Sequence, residues 1–141
     1  MTTSNQDTVR QFYAVFASGD VAGFDSVLAE GWELKPALFG MPGTRAGEEQ
    51  AIAYLHGVLD EITYTVEEIY DCGGGVVACR NTLRGTQRGP FLGLFAPGAR
   101  IELMTMEFHT LVDGRIVRTW HLEDFYGVQQ QLRAAGARPV P

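Results

Sequence analysis

The stretch RIELMTMEFHTLVDGRIVRTWHLEDF (Arg100–Phe125) predicts a β-hairpin and with it the second half of the fold. Asp113-Gly114 lies between two apolar runs, and Asp-Gly in that position is the strongest short-range signal of a hairpin turn. The runs on both sides are rich in β-branched and aromatic residues, which strands favour. We therefore expect two long antiparallel strands here, followed by a short helix.

Toward the N-terminus the hydrophobic period changes from two to 3.6 residues. Val9, Phe12, Tyr13 and Phe16 have the spacing of an amphipathic helix. A second short helix, a short strand at 32–36, a loop at 37–47 and a third helix from about Ala46 come next. Two further long strands precede the hairpin. This order predicts an α+β fold in which a cone-shaped, curved antiparallel sheet wraps around helices, with a hollow end that suits a small ligand.

Composition limits the classes of protein to consider. The chain has 141 residues and a formal net charge of −6, without a Lys/Arg-rich patch, which argues against nucleic-acid and anionic-membrane partners. Cys72 and Cys79 form no CxxC pair and have no zinc spacing, so we expect reduced thiols and no metal. The polar N-terminus lacks the features of a signal peptide, and no apolar run is long enough to cross a bilayer. We expect a cytoplasmic protein of one domain, 1–141, with a core at about 6–135 and a loose C-terminal tail.

Alternation along the hairpin divides its side chains between two faces. If Asp113-Gly114 is a two-residue turn, one face carries Leu103, Thr105, Glu107, His109, Arg118, Trp120, Leu122 and Asp124. The other carries Met104, Met106, Phe108, Thr119, His121, Glu123 and Phe125. We interpret the first face as a polar pocket with an apolar wall, and the second as a surface that packs against helices or a second subunit. A one-residue bulge would exchange the faces beyond it, and the first face could equally be the outer one.

Several motifs in order resemble the SnoaL-like polyketide cyclases, also called predicted ester cyclases. They are Arg80 at a strand end, Gly85-Thr86-Gln87-Arg88-Gly89, Phe91, Gly93, Pro97-Gly98-Ala99-Arg100, the Asp113–Trp120 hairpin, Asp124, and Gly127–Leu132. The resemblance extends from about residue 8 to 133 and implies the nuclear-transport-factor-2-like α+β barrel. Two positions depart from the family pattern. Gln87 and Lys35 stand where the family often has histidine, which we expect to reshape the pocket mouth.

The resemblance also implies a reaction. Characterised members close a polyketide ring by intramolecular aldol condensation without metal or cofactor, using an aspartate as general acid/base. Asp124 matches that aspartate, and His109 is the candidate for a pocket histidine on the neighbouring strand. An apolar wall that raises the pKa of a carboxylate toward neutrality would suit it to take a proton next to a carbonyl. The substrate-binding residues we predict are Trp120, Tyr13, Glu107, Leu122 and Arg80.

Each of these residues also has a plainer interpretation. Asp124 could cap the last helix through backbone N–H groups near Tyr126 or Gly127. His109 could be a structural histidine of the core. Alternation places His121 and Glu123 on the other face, as structural or interfacial residues.

The sequence supports three functional hypotheses. The first is a cofactor-independent enzyme that acts on a hydrophobic, carbonyl-bearing small molecule by aldol cyclisation or isomerisation. The second is a non-catalytic small-molecule binder, and the third is an assembly module. All three are compatible with a homodimer or higher homo-oligomer formed through the sheet face that carries Met104, Met106 and Phe108.

Overall fold

The computed structural model describes residues 3–38 and 40–141. Residues 1, 2 and 39, which belong to the polar N-terminus and the predicted 37–47 loop, lie outside the described residues. The α-helices are α1 (Asn5–Ser18), α2 (Arg45–Val58) and α3 (Phe125–Ala134), and a 3₁₀ helix spans Val21–Ser26. Ser4 caps the start of α1, and Gly19 ends it in the left-handed conformation with φ 75°, which glycine adopts without steric cost.

Five strands form one curved, open sheet in the order β1-β6-β5-β3-β2. They are β1 (Leu28–Lys35), β2 (Leu59–Gly73), β3 (Val76–Gln87), β5 (Arg100–Val112) and β6 (Arg115–Glu123). The predicted α+β class is confirmed, but the prediction of an entirely antiparallel sheet is wrong. β1 pairs with β6 in parallel, so the sheet is mixed at this edge.

The hairpin of β5 and β6 begins in the predicted register and then leaves it. Val112 pairs with Arg115 and Leu111 with Ile116, but Thr110 pairs with Arg118, so that Val117 is an extra residue on β6. The bulge shifts every later partner by one position. Since side chains alternate with a period of two, a shift of one residue moves the rest of β6 to the opposite face.

The predicted faces of β6 are therefore wrong beyond Val117. Glu107 faces His121 rather than Trp120, and Thr105 faces Glu123 rather than Leu122. Thr119 and His121 are buried on the inner face with Glu107 and His109, whereas Trp120 and Leu122 are 50% and 74% exposed on the outer face.

The helices cover the inner face of the sheet with two groups of buried side chains. Phe12 and Phe16 of α1 pack with Phe24 and Trp32 in the first group. The second group joins Leu59 and Leu83 of the sheet to Val128 and Leu132 of α3, together with Phe91 of the connecting loop. These groups leave a partly open cavity beside them. Among residues 3–38 and 40–141, no helix is long and apolar enough to cross a membrane.

The C-terminal segment that was predicted to be loose makes regular contacts. β7 (Arg138–Pro139) pairs with β4 (Leu94–Phe95) in a second, two-stranded sheet. The N–H of Val140 also donates to the carbonyl of Gly93 at 2.8 Å. The tail thereby holds the loop between β3 and β5 against α3.

Asp124 is the N-cap residue of α3. Its Oδ1 accepts a hydrogen bond from the N–H of Gly127 at 2.8 Å, which satisfies one of the free donors at the start of the helix. Gly127 is required for this close approach, because a Cβ there would lie 2.2 Å from Oδ2 of Asp124.

We predict that Asp124→Ala lowers the free energy of unfolding by about 1 kcal/mol, because it removes the cap. Asp124→Asn keeps an oxygen acceptor at the same position and should leave stability nearly unchanged. Urea unfolding of both variants measures the difference. Equal destabilisation by alanine and asparagine would show that the cap does not stabilise the helix.

Candidate functional site

A partly open cavity of about 350 Å³ lies between α2, α3 and the inner face of the sheet. Aromatic side chains form much of its wall, namely Phe16, Tyr54, Tyr64, Phe91 and Phe125. Glu48 of α2 and Glu123 of β6 are the carboxyl groups that line it, and none of the lining residues is lysine or arginine. A concave, mainly apolar site with a few polar groups is the usual form of a small-ligand pocket.

His121 orients Glu123 and supplies a positive charge beside it. Its Nδ1–H donates to Oε1 of Glu123 at 2.7 Å, and its Nε2–H donates to the carbonyl of Pro36 at 2.7 Å. Both ring nitrogens thus face acceptors, which suits the doubly protonated imidazolium. Burial by itself would lower the pKa of His121, but the hydrogen bond and the charge of Glu123 raise it to about 9. At neutral pH the two side chains form an ion pair.

A chain of hydrogen bonds runs through the core behind this pair. Trp32 Nε1–H donates to Thr119 Oγ1 at 3.1 Å, and Thr119 Oγ1 lies 2.8 Å from His109 Nδ1. His109 Nε2 lies 2.6 Å from the hydroxyl oxygen of Tyr13, and that hydroxyl donates to Oε2 of Glu107.

Each N–H or O–H in this series of hydrogen bonds has one acceptor if His109 is neutral and carries its proton on Nε2. Thr119 then donates to Nδ1 of His109, and Nε2–H of His109 donates to the Tyr13 oxygen. Burial, assisted by the charge of His121, lowers the pKa of His109 to about 3, which agrees with the neutral form. His109 is completely buried. It therefore acts as a link between Thr119 and Tyr13, out of reach of the cavity.

Glu107 connects the buried chain to the ion pair. Its Oε2 also accepts from Asn81 Nδ2 at 3.2 Å, and one of its oxygens lies within 4.8 Å of the ligand atoms of His121 and Glu123. Burial raises the pKa of Glu107 to about 7, against the opposing effect of the Tyr13 hydrogen bond. Glu107 thus titrates near neutrality beside the positive charge of His121.

Glu48 is a buried carboxyl that has no hydrogen bond or ion pair within residues 3–38 and 40–141. Only 3% of its surface is exposed. Burial, together with the charges of Glu107 and Glu123, raises the pKa of Glu48 to about 8. The cavity therefore has one carboxyl that is mainly protonated at pH 7 and one that is paired with a cation.

Two groups of side chains have the composition of a metal site. Glu107, His121 and Glu123 form one, and Cys79, Glu107 and His109 form the other. In both groups the histidine nitrogens already have hydrogen-bond partners. A metal ion would have to displace one of these bonds to reach a nitrogen.

The structure divides the residues predicted from the sequence. Tyr13, Glu107 and His109 are brought together on the inner face, in contact with one another. Asp124 caps α3 and does not line the cavity. Its predicted catalytic role stays a prediction, while the alternative of a helix cap describes its contacts.

The other predicted binding residues lie on the outer face. Trp120 is half exposed, with Lys35 Nζ 5.7 Å from the centre of its indole ring. Leu122 is exposed beside it. Arg80 of β3 forms an ion pair with Glu68 of the neighbouring strand β2, with 3.1 Å between Nε and Oε2. The register shift at Val117 explains why Trp120 and Leu122 lie on the outer face, because it turns both side chains away from the cavity.

Sequence reasoning missed Glu48, His121 and Glu123 as site residues. A signal for Glu48 exists, since it lies four residues before Ile52 and continues the apolar stripe of α2 toward the core. His121 and Glu123 follow from alternation only when the bulge is known. Most of the residues around Val117 favour β-strands, so the local sequence does not indicate the bulge.

The two departures from the family pattern lie away from the cavity lining. Gln87 is buried, and its amide bonds the carbonyl of Leu94 and the N–H of Ala96, both at 2.7 Å. It fixes the loop after β3. Lys35 is on the outer face, in an ion pair with Glu33 at 3.4 Å.

We predict that the free energy of unfolding falls as pH rises from about 5 to 9. The folded-state pKa values of Glu107 (about 7), Glu48 (about 8) and His121 (about 9) all exceed their usual values, so the folded state binds protons more tightly than the unfolded chain. The stabilisation present at low pH is lost as pH passes through these folded-state values. Below about pH 6.5 the lowered pKa of His109 acts in the opposite direction.

Glu48→Gln should flatten this dependence, because the neutral amide removes one of the three groups. Its stability relative to the unmodified protein should increase from pH 5 to pH 9 in urea unfolding experiments. Glu30→Gln makes the same change at an exposed position and should run parallel to the unmodified protein. Parallel curves for Glu48→Gln would show that Glu48 is ionised in the folded state with an ordinary pKa.

Comparison with known proteins agrees with the fold. A family model of SnoaL-like polyketide cyclases matches residues 6–132. IdmH from Streptomyces antibioticus, a proposed polyketide cyclase, is 28% identical, with a TM-score of 0.82 over 93% of this chain and 99% of its own. None of the curated proteins matches this chain.

Two more distant structures share the fold. TsrD from Streptomyces laurentii is 23% identical, with a TM-score of 0.82 over 95% of this chain and 98% of its own. AclR from Streptomyces galilaeus, a proposed hydroxylase, is 18% identical, with a TM-score of 0.78 over 92% of this chain and 96% of its own. Because the family match extends over nearly the whole length, the chain belongs to the SnoaL-like polyketide cyclase family.

Proposed function

We propose that this protein is a cyclase-type enzyme that acts on a hydrophobic, carbonyl-bearing small molecule by acid/base chemistry without a cofactor. The reaction is an aldol cyclisation or an isomerisation. The observation that carries the proposal is the cavity itself, in which aromatic walls surround a carboxylate, Glu123, held by the imidazolium of His121. An oriented carboxylate in an apolar enclosure is suited to take a proton from carbon next to a carbonyl.

Glu123 is the base in this proposal. Its carboxylate takes the proton from the α-carbon, and the electron pair of that C–H bond becomes the enolate. In an aldol cyclisation the enolate carbon attacks a second carbonyl of the same molecule, and protonated Glu123 gives its proton to the resulting alkoxide. In an isomerisation the proton returns to a different carbon. Glu123 regains its ionised form in both cases, so that no other reactant is consumed.

The buried chain behind Glu123 has a positioning role. Glu107 places negative charge near His121. The Tyr13 hydroxyl donates to Glu107, and His109 holds that hydroxyl in place. These contacts keep the imidazole ring and therefore Glu123 in one orientation. A base that is fixed before the substrate binds needs less reorganisation during the reaction.

Exchange of α-protons for deuterium provides a test that needs no knowledge of the natural substrate. We predict that the protein accelerates exchange in 2-tetralone, a hydrophobic aryl-fused ketone, as followed by NMR in D₂O. Glu123→Gln should lower the rate by about 10²- to 10⁴-fold, since it removes the base but keeps the shape of the side chain. Circular dichroism checks that the variant is folded.

Asp124→Asn is the matched control, because it makes the same change one residue along the chain at the helix cap. It should keep the exchange rate. If Asp124→Asn abolishes exchange and Glu123→Gln does not, the base is Asp124. Binding of 2-tetralone without any acceleration of exchange would instead favour the non-catalytic binder, which uses the same cavity.

We also propose that the outer face of the sheet joins two copies of this chain. Met106 pairs with Leu122 and Phe108 with Trp120 across β5 and β6, and all four are at least half exposed. They line an open groove of about 650 Å³ together with Met104 and Pro36, and one end of the groove is formed by His121, Glu123 and Asp124.

The charges around this groove favour a second copy as the occupant. Arg80 and Glu68 form one ion pair on this face, and Lys35 and Glu33 form another. An apolar centre with both signs of charge at its rim is complementary to itself about a twofold axis. A large exposed apolar patch on a protein of this kind also marks an interaction surface.

Leu122→Glu should therefore convert a dimer into a monomer, because it places a charge at the centre of the apolar contact. Light scattering coupled to size-exclusion chromatography measures the change. Gln130→Glu adds the same charge at an exposed position on α3 and should leave the mass unchanged. A monomeric unmodified protein would rule out this interface.

A further inference from the structure

We propose that Glu48 is a second catalytic residue, whose carboxylic acid donates its O–H to the carbonyl oxygen of the substrate while Glu123 removes the α-proton. The inference rests on the proposed function and adds to it the group that stabilises the enolate. It assigns the two carboxyl groups of one cavity to opposite roles.

The first reason is the position of Glu48. It lines the same cavity as Glu123 but belongs to α2, whereas Glu123 belongs to β6. A ligand in this space contacts carboxyl groups from two different elements. An acid and a base that act on one carbonyl compound must reach different atoms of it, the oxygen and the α-carbon.

The second reason is that Glu48 is buried and has no partner. Buried carboxyl groups are normally bonded to other groups of the protein, because an unsatisfied one costs free energy. Within residues 3–38 and 40–141, the carboxyl group of Glu48 has neither a hydrogen bond nor an ion pair, although only 3% of the residue's surface is exposed. Its oxygens are not fully enclosed by protein, because Asn81 Oδ1 is the one fully enclosed side-chain oxygen or nitrogen without a partner among these residues. The adjacent Glu49 pairs with Arg45 at 3.0 Å. A ligand in the cavity is the natural acceptor for the free O–H of Glu48.

The start of α2 holds Glu48 in this orientation. Thr44 caps the helix by accepting from the N–H of Gly47 at 3.3 Å. Arg45 anchors the same turn to Asp25 at 2.7 Å. Gly47 packs so closely on the loop that a Cβ there would lie 1.8 Å from the carbonyl oxygen of Pro42. These contacts fix the first turn, so the inward direction of Glu48 is built into the fold.

The surroundings of Glu48 keep its proton in place near pH 7. Burial raises its pKa, and the negative charges of Glu107 on β5 and Glu123 on β6 add to that effect. His121 acts against them, but its two N–H groups are directed at Glu123 and Pro36. Tyr54 and Tyr64 also line the cavity, and partial burial raises the pKa of both phenols. They are neutral at this pH.

The α-proton moves to the Glu123 carboxylate, the electron pair of the C–H bond forms the C=C bond of the enolate, and the π pair of the carbonyl moves to its oxygen. The O–H of Glu48 hydrogen-bonds to that oxygen as its charge grows, or transfers its proton to give the enol and a Glu48 carboxylate. When carbon–carbon bond formation restores the carbonyl, the proton returns to Glu48. Glu123 later gives its proton to the alkoxide of the aldol product or back to carbon. A protonated carboxylic acid in an apolar site is an effective donor for this purpose.

The exchange assay with 2-tetralone separates this inference from the proposed function. Glu48→Leu removes the donor and should lower kcat by about 10²- to 10³-fold, with a smaller change in KM. Glu48→Gln retains an N–H donor without a transferable proton and should lie between Glu48→Leu and the unmodified protein. The activity of the unmodified protein should decline above about pH 8, and Glu48→Gln should lose that decline. Glu49→Gln, on the same turn, should change neither the rate nor the pH profile.

Binding of 2-naphthol, the aromatic analogue of the 2-tetralone enol, gives a second readout that does not depend on turnover. Its Kd should rise roughly tenfold or more in Glu48→Leu and change less in Glu48→Gln. If both Glu48 variants keep the rate, the pH profile and the 2-naphthol affinity while Glu123→Gln is inactive, the inference is wrong and the proposed function stands. If the unmodified protein does not bind 2-naphthol, the inference is also wrong.

Discussion

The bulge at Val117 is the constraint on which the site depends. One extra residue in β6 rotates His121 and Glu123 to the inner face and Trp120 and Leu122 to the outer face. Without it, the inner face of β6 would present an indole and a leucine to the cavity, and the ion pair would lie in solvent. Bulges of this kind are common beside functional sites because they redirect side chains without ending the strand.

The inner face concentrates charge that a core does not need for stability. Glu48, Glu107 and Glu123 lie near one another, and His121 is the cation among them. Burial raises the pKa of Glu48 and Glu107, and the charge of Glu123 adds to the effect on both, since like charges in a region of low dielectric cannot all be ionised. The result is a difference in protonation between side chains of the same type, which is what acid/base chemistry at neutral pH requires. Burying these carboxyl groups close together lowers the stability of the folded protein, as strain and unfavourable contacts at functional sites generally do.

The outer face shows the reverse distribution. Met106, Phe108, Trp120 and Leu122 are exposed, while polar side chains occupy the buried positions opposite them. The chain belongs to a family of cyclases, but the identity of the reacting groups depends on which side chains of β5, β6 and α2 face the cavity.

The sequence by itself determined the α+β class, the Asp113-Gly114 hairpin and the division of the β5 side chains between two faces, because hydrophobic period and turn chemistry are local properties. It also placed Tyr13, Glu107 and His109 among the candidates, and these three side chains meet in the core. The tertiary structure alone decided the faces of β6, the parallel pairing of β1 and the burial of Glu48. A single inserted residue reverses a period of two, and the partner of an edge strand is set by packing between distant segments. The inserted residue and the strand partner are not visible in the local sequence pattern. Only the tertiary structure therefore shows that Glu123 lines the cavity while its neighbour Asp124 caps α3.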